Sequence, residues 1–196
     1  VWTGFKALTN YSSSISVTIL FTIIVITLVL GTDLTQNLYK NSLAYGVSRT
    51  SYYFAKSAVV LTIALFQFLV SYGLVFLIAT FYNGLGTMPD HFLAHFGLTV
   101  LIQFLCTLAW VSIISFLLYA SQSITLAFVG YFIGNILLSL PALFFKDIDI
   151  FHFINLEFQY SLVQSTTATT NTLSIALGFI LVFGFLGLAT FKHKDL

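Results

Sequence analysis

His91 and His95 stand four residues apart with Asp90 beside them, and on a helix that spacing turns both imidazoles to one face, as a divalent metal requires. No further acid or histidine stands close in the chain, so the pair reads as histidines at a helix start, and no metal site is expected. Catalysis at membrane depth would need Asp, Glu, His or a Ser/Lys pair placed together. The chain carries no charged side chain from Ala7 to Thr32, Ser57 to Pro89, His91 to Phe145 or Phe158 to Phe191, and no catalytic residue is expected. A GxxxxGK[ST] phosphate loop is also missing, so a nucleotide driving this protein would have to sit on another chain. Seven basic residues scattered along 196 positions form no nucleic-acid patch. The single cysteine, Cys106, lies in an apolar run and reads as a small buried residue.

The elements that would position such groups follow from composition. With 7% charged and 59% hydrophobic residues and a mean hydropathy of +1.01, the chain could not clothe a water-soluble domain in polar surface. About 20 apolar residues span a bilayer as a helix, and five such segments can be drawn, at about 14–32, 57–82, 92–119, 124–145 and 173–191. The fold class expected is therefore all-α, a polytopic transmembrane bundle in one domain. Gln67, Gln103 and Asn135 fall near the middle of the second, third and fourth segments. An amide in hydrocarbon is costly without a partner, so these three either bond between helices or line a translocation path. Gly130 and Gly134 form a small-xxx-small pair that allows close helix packing.

Lysine and arginine placement orients the chain, since cytoplasmic connections retain them. Lys40, Arg49 and Lys56 follow the first segment and Lys192 and Lys194 the last, against Lys6 and Lys146 on the other side. The stretch 33–56 and the C-terminus are thus expected inside, in a multi-pass plasma-membrane protein. An outside N-terminus without a signal peptide predicts one more helix upstream, six in all. Outside, 146–172 carries Phe151, Ile154, Phe158 and Leu162 on one helical stripe, the pattern of an amphipathic helix at the interface. The Ser/Thr tract 165–170 then leads to Asn171, read as the N-cap of the last segment.

The basic connection is the most informative stretch. Leu34 and Leu38 are one turn apart, Gly46 suits the left-handed residue that ends a helix, and Ser48 is an N-cap for the helix that follows. Asp33, Lys40, Asn41, Leu43, Gly46, Ser48, Arg49 and Lys56 together resemble the first cytoplasmic loop of type-2 ABC-transporter permeases, particularly small bacterial exporters of bacteriocins, lantibiotics or other peptides, including those that confer immunity. Asn37 stands where that family usually has glycine, and asparagine also tolerates positive φ; Asp33 stands where glutamate is commoner. The closing Phe191-Lys192-His193-Lys194-Asp195-Leu196 is similar to the family's short tail.

The resemblance implies a permease that pairs with a second permease, identical or not, and with two ATP-binding subunits that carry the ATP and magnesium. The residues from Asp33 to about Tyr45, with Leu34, Leu38 and Tyr39 as contacts, would be a coupling helix seated on the ATPase. The external segment would be the re-entrant region before the last helix. Two other readings of the same apolar chain are the substrate-binding membrane subunit of a vitamin-uptake transporter and a non-transporting membrane anchor or immunity protein.

Overall fold

A run of serines divides the first helical stretch in two. In the computed structural model, which describes residues 2–88, 90–145, 154, 156 and 166–193, α1 spans Gly4–Ser13 and α2 spans Ser16–Thr35. Ser12 and Ser13 turn their hydroxyls back onto the carbonyls of Thr9 and Asn10, at 2.8 and 2.7 Å. Such local bonds compete with helix continuation, and at Ser14 the backbone leaves helical geometry, its N–H closing on Tyr11 O at 2.9 Å.

After the break come α3 (Leu38–Ala44), α4 (Arg49–Asn83), α5 (Phe92–Ser121), α6 (Ile124–Phe144) and α7 (Thr166–His193). Among the described residues, α2, α4, α5, α6 and α7 are long and apolar enough to cross a membrane. The protein is an all-α, multi-pass membrane bundle. Large side chains such as Phe66, Leu69, Leu181 and Phe185 face outward, as expected where lipid is the solvent.

α5 is the central helix. It packs against α7, α6, α2, α4 and α1, and its Trp110, Ile114, Leu118 and Tyr119 are buried. α5 and α6 meet through the two-residue connection Gln122–Ser123 and run antiparallel, as its shortness predicts: Gly130 lies over Leu117, and Gly134 over the Trp110 ring. That glycine face is taken up within the chain.

Neighbours along α4 show that α1 and α2 are two parts of one interrupted span. Gly4 sits against Thr80, Tyr11 against Tyr72, Ile26 with Val60 and Ala64, and Asp33 with Lys56. Position in α1 and α2 rises as position in α4 falls, so the pair lies antiparallel to α4 over its whole length. At the far end Gly4 N–H bonds Gly84 O at 3.0 Å and Asn83 Nδ2 bonds Trp2 O at 3.0 Å. Gly86 has φ +77°, and a Cβ there would collide with Thr3, so this seam needs glycine.

Several expected boundaries shift. The first segment continues past residue 32 to Thr35, and α1 extends it on the other side of the serine break. The second begins at Arg49, one helix of 35 residues running through what was read as part of the connection. The last begins at Thr166, so Asn171 is inside α7 and caps nothing. Threonine and serine hydroxyls can bond the carbonyl four residues back, as Ser174 does to Thr170 O, and a polar tract can then stay helical.

Candidate functional site

The connection between α2 and α4 is built as read from its punctuation, on a different frame. Asn37 adopts φ +56° and starts α3, its carbonyl accepting from Lys40 N–H at 3.0 Å. α3 closes in a Schellman arrangement: Gly46, at φ +87°, donates to Leu43 O and Val47 donates to Ser42 O, at 3.0 and 3.3 Å. Ser48 Oγ then accepts from Ser51 N–H at 3.1 Å and opens α4. The elbow is therefore 36–48, shorter than 33–56. Asp33 and Lys56 belong to α2 and α4 and form an ion pair between those helices, with the Lys56 ammonium also 5.6 Å from the Tyr52 ring centre.

The inner side of the elbow is locked to three other elements. The Tyr39 ring lies 5.6 Å from Phe191, and Tyr52 and Tyr119 approach the same Phe191 at 5.6 and 5.1 Å. Tyr39 Oη accepts from Gln122 Nε2 at 3.0 Å, tying α3 to the α5–α6 connection. Arg49 Nη1 donates to Lys192 O at 2.7 Å and more weakly to Phe191 O at 3.4 Å, placing a cation on the last carbonyls of α7 where the helix dipole favours one. One turn into α4, Tyr53 Oη donates to Gly184 O at 2.7 Å. The elbow and the last turn of α7 therefore share one end of the bundle, as the basic residues implied.

This placement corrects two of the assigned contact residues. Leu34 ends up on α2, 1% exposed, and Tyr39 is 4% exposed, so neither faces outward and Leu34 does not share a helix with Leu38. What the elbow presents is Leu38, Lys40, Asn41, Tyr45 and Val47, with Tyr45 90% exposed. Alternation of burial within a seven-residue helix depends on where the rest of the bundle lies, and local spacing does not contain that.

A second polar assembly lies inside the bundle, at the serine break. Gln103, on α5 about 16 Å from its start by helical rise, is 0% exposed. Its Nε2 donates to Ser12 O at 2.7 Å, filling a carbonyl that the interrupted helix leaves open. Its Oε1 accepts from Tyr72 Oη, and Tyr11 Oη bonds Thr18 Oγ1 beside it. Gln67 and Asn135 are half-buried on α4 and α6, and no hydrogen bond joins any two of the three amides among the described residues. For Gln103 the interhelical-bond reading is the one the geometry matches.

Of the external stripe, Phe151, Phe158 and Leu162 lie outside the described residues. Ile154 is half-buried and lines a cavity together with the α7 residues Ile175, Gly178 and Phe179, and the neighbouring Leu156 is fully buried in the main core. His91 starts α5 at φ +56° and, like His95, is exposed; no three His, Cys, Asp or Glu side chains converge among the described residues. Tyr52, Tyr119 and Gln122, which meet the elbow and Phe191 here, carry no signal in the sequence that marks them for this role. The groups brought together stand up to 152 positions apart, so only the fold joins them.

No protein-family model, curated protein or solved structure matches this chain. The architecture defines a multi-pass helical membrane protein.

Proposed function

We propose that this chain is the membrane-spanning permease of an ATP-driven ABC exporter, moving an amphipathic substrate, a peptide foremost, out of the membrane or cytoplasm. The elbow supports that reading: a short helix braced inside the bundle on one side and exposed on the other. In this reading the elbow end faces the cytoplasm of a plasma-membrane protein, two ATP-binding subunits carry ATP and magnesium, and a second permease completes the pore. Pressure on Leu38 and Tyr45 passes through Tyr39 to Phe191 and through Arg49 to the end of α7. Rigid coupling of this sort biases a bundle with two packings.

The test is purification from native membranes in mild detergent. A stoichiometric ATPase is expected with the wild type and is lost with Leu38→Asp plus Tyr45→Asp, whose melting temperature stays unchanged. Recovery of the wild-type chain without any ATPase overturns the proposal. That result would favour a non-transporting anchor or immunity protein, a reading to which the buried interhelical bonding at Gln103 also lends support.

A further inference from the structure

Three helices leave an apolar groove on the outside of the bundle. It has a cavity volume of ≈ 420 Å³ and is walled by Val60 and Leu61 of α4, Leu108 and Val111 of α5, and Leu181 and Phe185 of α7. From Tyr53 to Leu61, and from Ile180 to Leu188, it runs about 12 Å along the helix axes. Of the four hydroxyls that line it, three are bonded to helix carbonyls: Ser57 to Tyr53 O, Ser112 to Leu108 O and Tyr53 to Gly184 O; the fourth is that of Ser115. Such a wall offers a hydrocarbon chain contact and offers a polar solute little.

Charge marks one mouth of the groove. Leu188 is its last α7 residue, and Lys192 lies one turn further on the same face, exposed and without an acidic partner among the described residues. Tyr53 is its first α4 residue, and Arg49 lies one turn before it, reaching across to the carbonyls of Phe191 and Lys192. Described charges at this end are Lys40, Arg49, Lys56 and Lys192 against Asp33 alone, whereas the opposite end holds Lys6 and Asp90. An apolar slot along the membrane normal with cations at its interfacial mouth matches an acyl chain joined to an anionic headgroup.

We propose that this groove is a binding site for an anionic phospholipid, one acyl chain lying between α4, α5 and α7 with the phosphate beside Lys192. The inference is independent of any ATPase. Gly184 keeps the slot open, since a Cβ there would meet nothing within 4 Å. A side chain at that position starts in open space inside the groove, and leucine suits a helix better than glycine.

The experiment places the purified protein in phosphatidylcholine vesicles with acyl-chain spin-labelled phosphatidylglycerol or phosphatidylcholine and reads the motionally restricted fraction. The wild type should favour phosphatidylglycerol about fivefold, and added salt should weaken the preference. Lys192→Gln and Gly184→Leu should each bring the ratio towards unity, the first by removing the headgroup contact and the second by excluding the chain. Lys40→Gln, at the same end but off the groove, should leave the ratio unchanged. A wild-type ratio near unity, or an equal loss with Lys40→Gln, overturns the site in favour of diffuse surface attraction. Spontaneous disulfide dimers of Leu181→Cys in a Cys106→Ser background would place a second copy in the groove and overturn it as well.

Discussion

The Gln103 node and the elbow are both polar assemblies in an apolar chain, and they differ in what they leave outside. At Gln103 the amide is spent on Ser12 O and the Tyr72 hydroxyl, and the side chain itself is wholly buried. At the elbow the inner half is spent in the same way, on Phe191, Gln122 and the α7 carbonyls, while Leu38, Lys40, Tyr45 and Val47 remain exposed. The first assembly repairs a broken span. The second repairs a connection and leaves one side of a short helix exposed, and the proposed coupling role rests on that exposed side.

Four substitutions break or sharpen that contrast, in falling order of their effect on stability. Phe191→Ala removes the ring on which Tyr39, Tyr52 and Tyr119 converge, and a loss of about 3 kcal/mol is expected. Unfolding in mixed micelles measures it, together with faster hydrogen exchange over 38–53; protection unchanged there would show that α3 is held by something else. Gln103→Leu strands the Ser12 carbonyl and Tyr72 hydroxyl and should cost about 2 kcal/mol. ATPase co-purification should survive it, and joint loss of the two would mean that the regions are not separable.

Arg49→Gln weakens the bonds to Phe191 O and Lys192 O and should cost about 1.5 kcal/mol. Under the proposed exporter reading its sharper signature is functional: an ATPase still bound but hydrolysing without transport, read by comparing hydrolysis with substrate efflux in proteoliposomes. Ser48→Ala should cost about 1 kcal/mol through the lost cap on Ser51 N–H, again read from unfolding in mixed micelles. A cost there larger than for Gln103→Leu would reverse the ranking of surface and interior on which the contrast rests.

How far the elbow was legible follows from the range of the interactions. Asn37, Gly46 and Ser48 act on backbone within a few residues, and their conformations match the reading residue for residue. The one-turn spacing of Leu34 and Leu38 suits a single helix, and the left-handed Asn37 separates them onto two. The serine break is equally local, with three adjacent hydroxyls in Ser12-Ser13-Ser14, and the first segment, read from residue 14, starts at it. The more polar helix before the break is the part that the apolar content does not reveal. Gln103 was legible as an amide in need of a partner, and its partners, 91 and 31 positions away, were not.

By itself the amino-acid order determined that lipid is this protein's solvent, that it crosses the membrane as helices, and where the turn and cap of the elbow fall. These depend on side-chain transfer energies and on φ preferences, which each residue carries with it. Only the tertiary structure decided that α1 and α2 make one broken span along α4, that α7 ends in the elbow under Arg49, and that Tyr39 faces in while Tyr45 faces out. In hydrocarbon every face of an apolar helix is soluble, so the sequence pattern leaves its orientation open, and packing among α2, α4, α5 and α7 settles it.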